Sequence, residues 1–256
     1  MNILLSGNKG LIGSELEEML INHNVTGFDR EDYFHNTNNF FNKKYDMIIH
    51  CGAHCLIRDV IKNPALAKEN IDVTADLLEI ARKGNSKFIY FSSSRVAHHE
   101  NNPYIASKRA CEELVKSYKK SYGIDYIIFR PETVWGERDN PKRVIPTWTK
   151  AAENGEPLII YGNKQKELSP IMVDDFCKKA YALIMDNHKY LCSTIHISGQ
   201  IMKAERVAEI IIELTGSDSK IIHKPAEATQ PQFCIQADIT SGRTFYNDFK
   251  KYIGAE

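Results

Sequence analysis

Short apolar runs alternate with amphipathic stretches along the first half of the chain. Residues 2–6 form an apolar run, and residues 11–23 follow with apolar side chains at helical spacing. Similar strand-then-helix pairs recur, with strands predicted at 24–29, 45–53, 87–94 and 124–131, a long helix over 63–84 and a further helix that holds residues 102–114. Such repeated alternation predicts an α/β fold built on a doubly wound parallel sheet with right-handed crossovers.

The pattern loosens after Pro131. The sequence after this point predicts helices near 144–154, 174–187 and 203–216 and strands near 157–162, 194–199 and 220–225. It also predicts an irregular tail from Ala226 with a weak final helix. Residues 31–45 are polar and rich in Asn, which predicts a loop. No flexible linker separates the two parts, so we expect the second to pack directly on the first.

Composition narrows the possible functions. The chain has 256 residues, of which 43% are apolar and 26% charged, and its 33 basic residues balance its 33 acidic ones. This is ordinary globular composition, without the net charge that attracts nucleic acid or anionic membranes. No apolar run approaches the ~20 residues that span a bilayer. The first strand begins at Asn2, so we expect no signal peptide and a cytoplasmic location.

The cysteines and histidines do not predict a metal site. The six cysteines form no Cys-x-x-Cys pair and read as buried or idle thiols. His50 and Cys51 are followed by His54 and Cys55, but "MIIHCGAHC" begins as a buried strand, which does not gather such residues around one ion. We therefore expect no metal.

A glycine-rich turn is the first candidate for chemistry. "SGNKGLIG" contains Gly7, Gly10 and Gly13, follows a strand and opens a helix. Small residues there let the backbone approach a pyrophosphate, whose charge meets the helix N-terminal amides. Asp29, which ends the second strand, suits the ribose hydroxyls of NAD and repels the 2′-phosphate of NADP. Arg30 follows at once and could attract that phosphate, so NAD is favoured and NADP remains possible.

A serine cluster and a Tyr-x-x-x-Lys pair are the second candidate. Ser92, Ser93 and Ser94 end a strand, where parallel sheets border their ligands, although serine is also common in caps and turns. Tyr104 and Lys108 lie one helical turn apart shortly after them. The lysine charge would lower the tyrosine pKa and prepare Tyr104 for proton transfer. A second Tyr-x-x-x-Lys, which starts at Tyr246, has no such setting and is interpreted as a decoy.

In combination these motifs resemble the extended short-chain dehydrogenase/reductases, the NAD-dependent epimerase/dehydratase family that acts mainly on nucleotide sugars. The resemblance extends to about Gly216. It is carried further by "HCGA" (50–53), Asn70, "FRP" (129–131), "VWG" (134–136), "VIP" (144–146), "IIYG" (159–162) and "VDD" (173–175). It implies a Rossmann domain (1–130 plus about 173–200) and a small C-terminal substrate-binding subdomain (131–172 plus about 201–256). It also implies a homodimer joined through the helices near 66–83 and 104–121.

The resemblance assigns roles to individual residues. The catalytic set is Ser93, Tyr104 and Lys108. The cofactor-binding set is Gly7, Lys9, Gly10, Leu11, Ile12, Gly13, Asp29, Arg30, Cys51, Gly52, Ala53, Asn70, Tyr104, Lys108 and Pro131. The substrate set is Ser93, Ser94, Tyr104 and Thr133. The implied cofactor is NAD and the implied partner is a nucleotide-sugar substrate, with no nucleic acid and no membrane.

Departures from the family pattern narrow the predicted activity. Ser93 matches the catalytic hydroxyl, with Ser92 or Ser94 as substitutes in another register. Family dehydratases carry Asp-Glu after that hydroxyl, whereas this chain has Ser94-Arg95. The decarboxylases carry Glu and the 3,5-epimerase/reductases carry Cys at the position of Arg95. A nucleotide-sugar 4-ketoreductase or 4-epimerase is therefore predicted.

Other departures keep alternatives open. Leu168 replaces an Arg that often meets the sugar diphosphate, and Thr133 replaces an Asn. These losses leave open a reductase of a smaller carbonyl substrate, beside a non-catalytic NAD(P)-binding regulator. The segment between Asp29 and Asp46 is short, so the usual third strand is expected to be minimal or missing.

Overall fold

The structure is a computed structural model that describes residues 1–32, 40, 43–98, 101–186, 189–226 and 232–255. The chain forms two compact units, residues 1–131 with 177–195 and residues 132–176 with 196–256. The division of roles between a nucleotide-binding and a substrate-binding part stays a prediction.

The first unit begins with alternating strands and helices. They are β1 (Asn2–Ser6), α1 (Leu11–Met19), β2 (Asn24–Phe28), β3 (Met47–His50), α2 (Ile57–Lys62), α3 (Ala65–Gly84), β4 (Lys87–Phe91), α4 (Pro103–Tyr122) and β5 (Tyr126–Pro131). A 3₁₀ helix, Ser94–Ala97, lies between β4 and α4. The short helix α2 was not predicted.

The remaining elements are shorter. They are β6 (Thr133–Trp135), α5 (Val144–Glu153), β7 (Leu158–Tyr161), β8 (Glu167–Leu168), β9 (Pro170–Met172), α6 (Val173–Met185), β10 (Ser193–Ser198), β11 (Met202–Lys203), α7 (Ala204–Thr215), β12 (Ile221–Lys224), β13 (Ile239–Thr240) and α8 (Phe245–Tyr252). None of the described helices is long and apolar enough to cross a membrane.

The main sheet has the order β13-β10-β5-β4-β3-β1-β2. From β1 the chain moves one way to β2 and then returns past β1 to β3, β4 and β5, with parallel pairing throughout. The predicted doubly wound parallel fold is confirmed. The winding reverses between β1 and β3, whose final residues Ser6 and His50 are paired. In open α/β sheets ligands bind at such a reversal.

Local sequence explains the elements that border this edge. All four residues of β3 are buried, as expected for a parallel strand covered by helices on both faces. Helix α4 starts with Pro103 at its first position, and the Asn102 side chain accepts the Ile105 N–H at 3.0 Å. Gly123, at φ 79°, ends the helix in the left-handed conformation. The N-cap therefore fixes Tyr104 in the first turn of α4.

The predicted loop at 31–45 is only partly a loop. Residues 31 and 32 are helical. Phe40 is buried and stacks on Phe28 with 4.7 Å between ring centroids, and Tyr45 joins the same core. Two aromatic residues of this segment, Phe40 and Tyr45, therefore belong to the apolar core of the first unit. Residues 33–39 and 41–42 lie outside the described part of the structure. The prediction that the usual third strand is minimal or missing concerns these residues and stays a prediction.

The second unit has its own apolar core around Trp135. The rings of Phe245 and Phe249, both on α8, lie 5.3 and 5.9 Å from the Trp135 ring. Thr244 caps α8, and Arg243 beside it pairs with Asp174 and Asp248. The final helix is therefore an integral part of this core, because its aromatic residues supply packing that a weak helical pattern does not reveal.

Candidate functional site

The glycine-rich turn connects β1 to α1 through contacts that exclude side chains. Gly7 has a φ of 74°, and its carbonyl accepts the Gly10 N–H at 3.0 Å. A Cβ on Gly13 would lie only 2.0 Å from that same carbonyl oxygen. The turn therefore needs glycine at both positions, and α1 starts with its N-terminal amides close behind it.

The Gly7 turn meets the turn that follows β3. A Cβ on Gly7 would lie 2.6 Å from the Gly52 nitrogen, so the two backbones touch at the reversal point of the sheet. Cys51 stands beside this contact, and burial raises the pKa of its thiol. The structure thus brings together two of the predicted cofactor-binding segments, 7–13 and 51–53.

A cleft of about 500 Å³ opens at this edge of the first unit. The Asp29 carboxylate lies at its rim and accepts the Arg30 N–H at 2.6 Å. The cleft is lined by Ser6, Gly7, Phe28, Asp29, Arg30, Gly52, Ala53, His54, Glu69, Asn70 and Val73. Of the predicted cofactor residues, Gly10, Leu11, Ile12 and Gly13 belong to the turn and the start of α1 instead. Lys9 is exposed, 3.6 Å from Asp32.

Asn70 fixes one wall of this cleft. Its side-chain oxygen accepts the His54 N–H at 2.8 Å, and its amide donates to the His54 carbonyl at 3.2 Å and to Ser107 Oγ at 3.4 Å. The imidazole of His54 in turn lies 2.7 Å from Glu69. Because its amide hydrogens are already engaged, the geometry indicates that Asn70 supports the cleft wall and links it to α4.

The three serines at the end of β4 have different surroundings. Ser92 is buried and donates its hydroxyl to Glu112 Oε1 at 2.6 Å, which makes it a structural residue. Ser93 Oγ accepts the Arg95 N–H at 3.3 Å and so caps the 3₁₀ helix, while its own O–H can still donate to a substrate oxygen. Ser94 is buried at the first position of that helix. The geometry favours Ser93 over Ser92 as the substrate contact.

Lys108 is buried on α4. Its Nζ donates to the Phe91 carbonyl at 2.8 Å and lies 4.9 Å from the centroid of the Tyr90 ring. Burial lowers the pKa of Lys108, and Cys111, Cys55 and Cys51 oppose that shift. The positive charge of Lys108 in turn acts against the effect of burial on the pKa of Cys51. An ammonium has three donors, so the bond to Phe91 leaves others for a ligand.

Tyr104 is also buried, one helical turn before Lys108 on α4. Both belong to the surroundings of Tyr90, whose pKa is raised by burial and, in part, by Tyr104. The backbone carbonyl of Tyr104 accepts the Ser107 hydroxyl at 2.7 Å. The Tyr246–Lys250 copy lies on α8, in the other unit.

Glu112 lies beside these candidate site residues and was not predicted from the sequence. It is almost fully buried, one turn beyond Lys108, and accepts from Arg130 Nε at 2.8 Å and from Nη2 at 2.6 Å. With Ser92 as a third donor, its carboxylate ties α4 to the ends of β4 and β5. Lys108 and Glu112 thus hold two consecutive residues, Phe91 and Ser92, directly before Ser93. In the sequence, the spacing of four from Lys108 places Glu112 on the same helix face but does not reveal its partners.

Arg109 organises the connection between Ser93 and Tyr104. Its guanidinium donates to the Val96 carbonyl at 3.1 Å, to the His98 carbonyl at 2.5 Å and to Asn101 Oδ1 at 2.9 Å. Five donors in a planar fork suit such a cluster of acceptors. This role too was not predicted from the sequence.

Two further predicted positions belong to the strands β5 and β6. Pro131 ends β5, and Thr133 opens β6 in the second unit, paired with Pro170. Leu168 packs against the apolar core of that unit. Within the described ranges, no three His, Cys, Asp or Glu side chains are grouped closely enough to hold a metal.

The sequence model of the NAD dependent epimerase/dehydratase family matches residues 3–192. This chain belongs to that family. The predictions of family, enzyme class and NAD as the cofactor are confirmed at this level, and the glycine turn, Ser93, Tyr104 and Lys108 all fall within the matched region of the epimerase/dehydratase chain.

Relatives of this epimerase/dehydratase include nucleotide-sugar enzymes of several activities. A dTDP-glucose 4,6-dehydratase from Haemophilus influenzae is 25% identical over 85% of this chain and 81% of its own. A putative UDP-glucose 4-epimerase from Methanocaldococcus jannaschii is 27% identical over 69% of this chain and 71% of its own.

Solved structures show the same fold. The UDP-N-acetylglucosamine 4-epimerase from Methanobrevibacter ruminantium M1, in complex with UDP-N-acetylmuramic acid, is 25% identical with a TM-score of 0.82. That alignment covers 98% of this chain and 95% of the other. The UDP-glucose 4-epimerase from Thermotoga maritima has a TM-score of 0.83 at 21% identity, over 100% and 93% of the two chains.

Proposed function

We propose that this epimerase/dehydratase family member transfers a hydride at one carbon of a nucleotide sugar, as a 4-epimerase or a 4-ketoreductase. The observation that carries the proposal is that two side chains of α4 form hydrogen bonds to the residues at the end of β4. Lys108 and Glu112 hold Phe91 and Ser92, so that Ser93 and Tyr104 are presented from two elements fixed to each other.

The residues present fit an NAD dinucleotide. The cradle between Gly7 and Gly13 has no room for a Cβ, and the N-terminal amides of α1 lie behind it to meet a pyrophosphate. Asp29 at the cleft rim suits the hydroxyls of the adenosine ribose. Lys108 would hold the second ribose. NAD, when bound there, supplies the hydride acceptor and donor.

Side chains of the protein carry out the proton transfer. As hydride leaves the sugar carbon, Tyr104 takes the proton of the hydroxyl on that carbon, and Ser93 donates a hydrogen bond to the same oxygen. The positive charge of Lys108 favours the ionised form of the phenol. In an epimerase the proton returns when hydride is delivered to the opposite face of the resulting ketone. In a reductase Tyr104 instead protonates the oxygen of an incoming 4-keto sugar.

Loss of the acidic pair argues against dehydration. Elimination of water needs an acid and a base beside the reacting carbons, and Ser94 and Arg95 stand where family dehydratases carry Asp and Glu. This chain therefore differs in chemistry from the dehydratase among its relatives.

A panel of substrates tests the proposal. UDP-, GDP-, CDP- and dTDP-linked sugars and their 4-keto forms are incubated with the enzyme while NADH and the sugar product are followed together. A 4-epimerase converts sugars without net change in NADH, whereas a ketoreductase consumes NADH in equal amounts with its product. No conversion of any nucleotide sugar, with NAD bound, contradicts the proposal.

One observation favours a second candidate, a reductase of a smaller carbonyl compound. Leu168 stands where the family often places an Arg for the sugar diphosphate, and it packs in an apolar core. Nucleoside diphosphates distinguish the two candidates. They compete with a nucleotide-sugar substrate and do not affect turnover of a small carbonyl.

We further propose a homodimer through α3 and α4, as the family resemblance implies. These helices pack on each other, and α4 exposes Ala106, Glu113 and Ser117 along one side. In a twofold interface a residue near the axis faces its own copy. Ala106→Arg should thus raise the dimer dissociation constant at least tenfold by repulsion. Light scattering after size exclusion measures this, with Asn154→Arg in the second unit as control. Equal dimerisation of both variants contradicts the proposal.

A cytoplasmic location stays a prediction from the sequence.

A further inference from the structure

A chain of buried polar groups runs beneath the Gly52 turn. Ser6 Oγ, at the end of β1, lies 2.6 Å from His50 Nδ1 at the end of β3. His50 Nε2 lies 3.0 Å from Thr74 Oγ1 on α3. The Gly52 N–H donates to Ser6 Oγ at 3.3 Å. The three side chains are between 0% and 2% exposed, so water cannot replace a missing partner.

The direction of each hydrogen bond in this chain follows from the bond between Thr74 and Asn70, where only one direction is possible. Thr74 donates its only hydroxyl hydrogen to the Asn70 carbonyl at 2.7 Å, and a carbonyl can only accept. Thr74 must therefore accept from His50, which places a hydrogen on Nε2. The bare Nδ1 of a neutral imidazole then accepts from Ser6. Ser6 has no second hydrogen, so its oxygen accepts from Gly52, and each contact has one donor and one acceptor.

The surroundings keep His50 neutral, as this arrangement requires. Burial lowers the pKa of His50 to about 3, and the positive charge of Lys108 on α4 acts in the same direction. From β4, the ring of Tyr90 lies 5.5 Å away and that of Phe88 lies 6.3 Å away. Burial and the Lys108 charge both disfavour the imidazolium form of His50.

The Ser6 and Gly52 end of this chain of hydrogen bonds lies at the nucleotide cleft. Ser6 and Gly52 line it, and the backbone of Gly52 touches Gly7. Neither His50 nor Thr74 lines the cleft. We propose that His50 and Thr74 are positioning residues, which hold the Gly52 turn against the Gly7 turn through Ser6 and thereby shape the site for NAD without contacting it. The inference rests on the proposed function only in that this cleft takes NAD.

Two substitutions at Thr74, one that keeps its shape and one that keeps its hydroxyl, test the proposal. Thr74→Val removes the hydroxyl and strands the Nε2 hydrogen, whereas Thr74→Ser keeps the hydroxyl. We expect Thr74→Val to raise the Kd for NAD about tenfold and Thr74→Ser to change it less than about threefold, by calorimetry on the folded proteins. Melting curves confirm that both variants are folded at the temperature used. Equal NAD affinity of the two variants overturns the proposal.

A spectroscopic measurement tests the chain without substrate or cofactor. The protein is labelled with ¹⁵N-histidine for NMR. The signals that are absent from the spectrum of the His50→Gln variant are assigned to His50. We expect a neutral ring with hydrogen on Nε2 in wild type and in Thr74→Ser, and a shift of the hydrogen toward Nδ1 in Thr74→Val. Hydrogen on Nδ1 in wild type overturns the inference. Failure of the wild type to bind NAD overturns the proposed function, while the ring tautomer still tests the chain.

Discussion

Tyr104→Phe is expected to lower kcat by about 10²–10⁴-fold on whichever substrate the panel identifies. The substitution removes only the phenolic oxygen, which the proposed mechanism uses to take and return the proton. The ring remains to pack in its buried position at the start of α4. The Kd for NAD should change by only a few-fold, because the glycine turn, Asp29 and Lys108 are intact.

The chain offers a matched control in its second Tyr-x-x-x-Lys. Tyr246→Phe makes the same chemical change on α8, in the other unit, and should leave kcat within about twofold of wild type. Turnover and NAD binding are measured for both variants, with melting temperatures to compare their stability. Undiminished turnover by Tyr104→Phe removes this residue from the mechanism, and an equal loss in Tyr246→Phe means that the defect is not one of proton transfer.

Glu112→Ala is expected to destabilise the protein by about 3–5 kcal/mol. The carboxylate is 2% exposed in its side chain and is the shared acceptor of Ser92 and Arg130. Removing it takes a two-point carboxylate acceptor from the Arg130 guanidinium, itself 18% exposed, and leaves the buried Ser92 hydroxyl unpaired. Turnover of the folded variant should also fall, because the end of β4 loses one of its two holds on α4.

The neighbouring residue provides the control for this prediction. Glu113 is 73% exposed in its side chain and forms only a surface pair with Lys116. Glu113→Ala should therefore cost no more than about 1 kcal/mol. Urea unfolding of both variants gives the two free energies. Similar values contradict the assignment of Glu112 as a buried tie between three elements, and Glu112→Gln, which keeps an acceptor for Ser92, should lie between them.

The sequence predicted the elements whose signal is local. The apolar run at 2–6 and the periodic stretch at 11–23 became β1 and α1, and the glycines between them are required by contacts as close as 2.0 Å. Tyr104 lies in the first turn of its helix because Asn102 and Pro103 fix the helix start. These features depend on residues within a few positions of each other.

Features that depend on distant partners were not predictable in the same way. Glu112 reads as an ordinary helix residue until the fold brings Ser92, twenty positions earlier, and Arg130 to it. Thr74 likewise looks like a minor interruption of an apolar helix face, and its role appears only with His50. Phe40 lies in a polar stretch, yet it joins the core because Phe28 offers a ring to stack on.

The hydrogen bonds of Arg109 to the segment between Ser93 and Tyr104 leave some positions of that segment open to substitution. Two of its three acceptors are the main-chain carbonyls of Val96 and His98, which every residue type provides. The side chains of Val96 and His98 take no part in these two bonds, so both positions tolerate exchange without loss of either bond. Asn101 and Asn102, in contrast, act through their side-chain oxygens and are not exchangeable in this way.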